Sequence, residues 1–169
     1  MPAHLPETVD AWRMVTARRS FEGTLPLAAL PRLAADLART DGEVAYALQF
    51  DRDEFGRGYV DVHAQAPLTL TCQRTMDEFV LPVEVETRLG LIESEAEEAA
   101  LPEGYEPLLL GPEPLRPAAV IEDELLLALP LVPVKPGSSL PEQAGGEDEA
   151  AAARPEDNPF AVLGKLKHH

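Results

Sequence analysis

Along Val60 to Cys72 the apolar side chains fall on alternate positions, Val60, Val62, Ala64, Ala66, Leu68, Leu70 and Cys72, with Asp61, His63, Gln65, Thr69 and Thr71 between them. A period of two sustained this far requires an extended strand with one face in a core and the other toward water. After a short polar link, Arg74 to Glu78, the alternation resumes in Phe79, Leu81, Val83, Val85, Leu89 and Leu91, set against Glu84, Glu86 and Arg88. Two such runs joined by so short a link predict an antiparallel hairpin. The same period in Val44, Tyr46, Leu48 and Phe50 predicts a further strand, flanked by turns at Asp41-Gly42 and Asp51 to Gly58. Shorter strands are expected at Ser20 to Leu27 and Tyr105 to Leu110. Pro26 and Pro107 lack a ladder donor and assign these two to sheet edges.

Helical spacing marks two other segments. Leu30, Leu33, Ala34 and Leu37 share one side of a helix expected over Leu27 to Arg39 and stopped at Thr40 to Gly42. A second begins near Pro117, a residue suited to the first helical turn, and ends before Pro130, burying Val120, Ile121, Leu125 and Leu129. The fold class is therefore α+β: an antiparallel sheet with a long central hairpin covered by one or two helices, plus a disordered acidic tail ending in a short helical motif. A single domain over residues 1–134 fits a chain of 169 residues. Residues 135–157 are rich in Pro, Gly, Ala, Ser and acidic side chains and read as a linker, because almost no large apolar group is there to offset ordering entropy. Residues 158–167 read as a docking motif. Asn158 is its cap, Pro159 its first helical position, and Phe160, Leu163 and Leu166 its apolar side.

Charge and cysteine content narrow the function. Lys and Arg number 14 against 30 Asp and Glu, a formal net charge of −16. Such a field repels phosphate backbones, so DNA is not expected as a partner. Cys72 is the single cysteine and allows neither an internal disulfide nor a thiolate zinc cage. Met1 to Arg19 lacks the apolar core of a secretory signal, and Leu125 to Val134 is about half the length of a membrane-spanning helix and holds Pro130 and Pro133. A cytoplasmic protein without membrane association, cofactor or metal is expected. No nucleophile elbow or glycine-rich phosphate loop is present, so the chain is not expected to be an enzyme.

Four motifs in order resemble the YceD family. They are Leu70-Thr71-Cys72-Gln73-Arg74 at the hairpin, Leu101-Pro102-Glu103-Gly104-Tyr105-Glu106-Pro107, Val120-Ile121-Glu122-Asp123-Glu124-Leu125 through Pro130, and Asn158-Pro159-Phe160-Ala161-Val162-Leu163. A weaker likeness covers Asp10 to Gly23. The resemblance implies a role in synthesis or accumulation of large-subunit ribosomal RNA, through binding early intermediates, and brings no catalytic activity with it. It also implies genes that often neighbour one for a large-subunit ribosomal protein. Implied partners are the large-subunit rRNA precursor, a basic ribosomal protein, or both; a dedicated chaperone of such a protein is the alternative. Family members commonly carry a second cysteine three residues after the first, where this chain has Thr75.

Several residues are candidates for contact. Arg13, Arg18 and Arg19 beside Trp12 form the basic cluster of an acidic chain, able to meet RNA phosphates while Trp12 stacks on a base. Equally, Trp12 could pack on the domain and the arginines pair with its carboxylates. Gln73 and Arg74, at the hairpin turn, are suited either to partner contact or to stabilising the turn. Glu122, Asp123 and Glu124 read as an acidic ridge for a basic partner or as a solvated helix face. Asp61 and His63, one strand period apart, have spacing that could hold a metal or form an acid-base pair, but are expected to be solvent-facing polar residues, as are Asp51 to Glu54. Cys72 is expected to be a small buried hydrophobe.

Overall fold

A computed structural model describes residues 5–138 of the chain. The chain divides into two units, Met1–Pro136 and Gly137–His169. The expected linker from residue 139 onward and the whole motif Asn158 to Lys167 lie outside the described residues.

The first unit is α+β. Its strands are β1 (Ser20–Pro26), β2 (Glu43–Arg52), β3 (Gly58–Thr71), β4 (Glu78–Ile92) and β5 (Tyr105–Leu109), and its helices α1 (Ala11–Thr16), α2 (Pro31–Asp36) and α3 (Pro117–Ala128). They form one five-stranded sheet in the order β1-β2-β3-β4-β5. The expected hairpin is its centre, with Tyr59 opposite Gly90 and Thr71 opposite Glu78. Every pairing up to β4 is antiparallel, but β5 runs parallel to β4, so the expected all-antiparallel sheet is in fact mixed. The reason is the crossover over residues 93–104. Ser94 and Glu97 cap a 3-10 turn reciprocally, and Leu101 then lies against Gly90, where an added Cβ would come within 2.6 Å of Leu101 Cδ2. The chain thus doubles back as far as Arg88 and re-enters the sheet beside the last residues of β4 in the same direction, Tyr105 opposite Arg88 and Leu109 opposite Ile92. The two proline-bearing strands, β1 and β5, are the edges, as Pro26 and Pro107 require.

The alternation sorts side chains between two faces. Val44, Leu48 and Phe50 of β2, Val60 to Leu68 of β3 at alternate positions, and Val83, Leu89 and Leu91 of β4 join Val15 of α1, Leu33 of α2 and Val120, Ile121 and Leu125 of α3 in a common core. All three helices therefore cover the inner face. The outer face bears Glu22, Gln49, His63, Gln65, Glu84 and Glu86 in the open, and its covered part lies where Leu101 and Tyr105 meet Gly90.

The helix expected over Leu27 to Arg39 is shorter. Leu27–Ala29 form a 3-10 turn, Leu30 leaves helical geometry at φ −110 and ψ 84, and α2 runs from Pro31 to Asp36. Pro31 is the cause, since its ring disfavours helical backbone at the residue before it and supplies no N–H to a preceding turn. Beyond α2 the Ala38 N–H donates to the Thr69 carbonyl at 2.8 Å, padding β3 where it projects past β2. Helix α1 was not expected. Its signal is Asp10, whose carboxylate accepts the Arg13 N–H at 3.0 Å, followed by buried Ala11 and Val15 one helical turn apart. Helix α3 occupies its expected span, but besides Val120, Ile121 and Leu125 it buries Glu122 and Glu124.

Candidate functional site

The sequence-predicted contact residues fall at three separate places. Trp12 sits on α1 at the Gly58 end of β3, whereas Gln73 and Arg74 follow Thr71 at its other end. A strand of this length spans roughly 40 Å, so the two groups do not share one pocket.

The basic cluster divides at the first place. The Trp12 ring lies over Gly58, where a Cβ would come within 2.7 Å of Trp12 Cζ3, and its Nε1 donates to Glu93 at 3.0 Å. Arg18, in left-handed backbone at φ 48, pairs with Asp51 at 3.2 Å. Arg13 and Arg19 are exposed, make no ion pair among the described residues, and border a depression of about 650 Å³ floored by Met14 and Phe21.

The second place is the hairpin tip. Cys72 is fully buried with Leu70 and Phe79, as expected of a small hydrophobe. Its sulfur is also a hydrogen-bond acceptor, which the sequence reading did not foresee. The Thr75 hydroxyl, the Lys135 N–H at 3.3 Å and the N–H groups of Thr75 and Arg74 converge on it and hold the thiol down to about 6. Thr75 thus spends its hydroxyl on the Cys72 sulfur. The turn closes through Cys72 N–H to Asp77 and Met76 N–H to Cys72, both 2.8 Å, and Gln73 N–H ties it to the Pro133 carbonyl at 2.8 Å. The side chains of Gln73 and Arg74 are exposed.

The third place is α3, where the three carboxylates separate. Glu122, only 4 % exposed, accepts the backbone N–H groups of Arg32 at 2.7 Å and Leu33 at 3.1 Å, and Arg32 Nε at 3.1 Å. It serves as the N-terminal cap of α2, which has no capping side chain of its own because Leu30 holds the cap position. Asp123 is exposed and pairs with Arg32 at 2.6 Å. Glu124 is buried beside the Thr87 hydroxyl; burial raises its carboxyl above the ordinary value, and Glu106 and Asp123 push the same way. Of the ridge read from sequence, only Asp123 lies open.

Asp61 and His63 do share the outer face, but they do not combine. Asp61 takes Arg88 bidentately at 2.6 and 2.8 Å, and His63 Nε2 lies 3.1 Å from Glu84. Arg88 also stacks over Tyr59 at 4.2 Å and Tyr105 at 5.6 Å, which fastens β5 to the central hairpin, and its pKa is raised chiefly by the Asp61 hydrogen bonds. Asp53 shapes the β2–β3 turn by accepting the Phe55 and Arg57 N–H groups at 2.9 and 2.8 Å, and Gly56 there needs its φ of +80. The roles of Arg32, Arg88 and Glu106 were not foreseen. Only Leu30 at the cap position of α2, a side chain with no acceptor for the Arg32 and Leu33 N–H groups, hinted that α2 would need an outside one. Among the described residues no three His, Cys, Asp or Glu side chains gather as metal ligands, and no helix is long and apolar enough to cross a membrane.

These features define an acidic α+β domain in which a mixed sheet is covered on one face by helices, and in which carboxylates such as Asp61, Glu93 and Glu122 tie its own elements together. Residues 60–167 match the family described as large ribosomal RNA subunit accumulation protein YceD. The chain is 30 % identical over 169 residues to the protein of that name from Haemophilus influenzae, with 96 % of each chain covered. No solved structure matches it. The chain belongs to the YceD family.

Proposed function

We propose that this protein is a non-enzymatic factor of ribosome biogenesis, working in the cytoplasm, that supports accumulation of large-subunit ribosomal RNA by binding early large-subunit intermediates. The observation that carries the process is the full-length likeness to a relative named for large-subunit rRNA accumulation. What supports binding as the mode is that Asp61, His63, Glu84, Glu122 and Asp123 are engaged in structural pairs, while Arg13 and Arg19 stand open beside an apolar depression. In this reading those two arginines meet RNA phosphates, Gln73 and Arg74 make a second contact, and the Asn158 to Leu166 motif docks on the maturing particle.

Depletion should lower large-subunit rRNA and large subunits relative to small ones in sucrose gradients, and Arg13→Glu with Arg19→Glu should fail to restore them while remaining folded. An unchanged subunit ratio after depletion refutes the process; full rescue by the double variant refutes the arginine contact. The second reading, a chaperone for one basic ribosomal protein, is favoured by the net charge of −16. Affinity purification with and without ribonuclease separates the two, because a chaperoned protein stays bound after RNA digestion.

A further inference from the structure

Between β5 and α3 lies a groove of about 480 Å³, walled by Leu108 of β5 and by Val120, Leu126 and Leu127 of α3. β5 is the sheet edge, so no further strand roofs it. Two properties set the groove apart from an ordinary surface crease. A large apolar group is left in water at its mouth, Leu127 being 74 % exposed. Into the same groove is set Glu124, a carboxylate only 6 % exposed. Its hydrogen-bond partner is a hydroxyl, that of Thr87, and the charges acting on it, Glu106 and Asp123, are both negative. Val120, Glu124 and Leu127 recur at helical spacing and form one stripe of α3 toward β5.

We infer that this groove is a docking site for a basic amphipathic segment of a partner protein, which seats apolar side chains on Leu108 and Leu127 and brings a lysine or arginine to Glu124 and Glu106. A buried carboxylate without a cation is unfavourable, and a cation arriving in an apolar groove meets it at low dielectric. The apolar walls select an amphipathic chain over a free cation, and the carboxylates exclude RNA from this site. An anchor charge surrounded by apolar contacts is the arrangement in which interface energy concentrates. The opposite charges of this groove and of Arg13 and Arg19 would let one domain hold protein and RNA at different places. The inference rests on reading the protein as a binding factor for early large-subunit intermediates.

The test uses the full-length chain and two labelled probes: each purified basic large-subunit ribosomal protein, free of RNA, and protein-free large-subunit rRNA. Glu106→Lys, Glu124→Gln and Leu127→Ala change groove groups whose replacement leaves the core intact, as a melting curve verifies. At least one ribosomal protein should bind the wild type and lose roughly ten-fold or more in affinity to each variant, while rRNA binding is unchanged. Spermidine should compete poorly. No binding by any basic protein, binding indifferent to all three variants, or full displacement by spermidine each overturns the groove assignment. These outcomes leave the rRNA-accumulation reading standing, which fails separately if depletion does not alter large-subunit rRNA.

Discussion

Replacing Glu122 by Ala tests whether this carboxylate holds the fold or faces a partner. Its Oε1 accepts the N–H groups of Arg32 and Leu33 at the start of α2, and no other acceptor is placed there. An orphaned buried donor costs about 1–3 kcal/mol. The Leu33 N–H is buried and bears the full cost, whereas the Arg32 N–H is part-buried and water relieves some of it. The sum is about 2–4 kcal/mol, a large share of the roughly 5–15 kcal/mol by which domains are stable. At roughly 3–5 °C per kcal/mol for a domain of this size, the melting temperature should fall by about 6–20 °C. Glu122→Gln, which keeps an acceptor for the two N–H groups, should lose less than half as much. Asp123→Ala removes an exposed pair and should leave stability near that of the wild type. Urea unfolding of the three variants reads these differences. If Glu122→Ala lies within about 0.5 kcal/mol of the wild type, the capping role is wrong. If Glu122→Gln is stable yet loses large-subunit precursors, the residue serves a partner after all.

Three further outcomes are expected. Because burial raises the Glu124 carboxyl above its ordinary 4.5, its stabilising contribution is complete below that pH and is lost as pH rises through the folded value. Glu124→Gln should therefore be at least as stable as the wild type at pH 7 and lose that advantage toward pH 5; the opposite trend in urea unfolding would contradict it. The Cys72 thiol is held at about 6 against an ordinary 9.0, so its contribution is complete above 9.0 and lost as pH falls through 6. Cys72→Ser should then cost more stability at pH 8 than at pH 5.5 while rRNA accumulation persists, and a severe accumulation defect in the folded variant would refute this. Deleting Asn158 to Lys167 should weaken association with ribosomal precursors with the melting temperature nearly unchanged; loss of stability with association intact would make the segment a structural clasp.

The sequence by itself determined the strands and their faces, because a side-chain period of two leaves no other way to bury Val60 to Leu70 and expose Asp61 to Thr69. It also placed β1 and β5 at the edges and started α3 at Pro117, since proline acts on its own backbone and the pattern is local. Where the answer depended on a neighbour far along the chain, the pattern was silent. The direction of β5 rests on how Leu101 packs against Gly90, and the start of α2 on a carboxylate from α3, ninety residues away. The same holds for function. An Arg-rich start and a Glu-Asp-Glu run are legible as charges, but only tertiary structure decided which of them remain available. Arg18 and Glu122 find partners inside the molecule, and Arg13, Arg19 and the Glu106–Glu124 groove do not find cationic or anionic ones among the described residues. A charge is a property of one residue, whereas its cancellation is a property of two, and the fold alone brings the second one near.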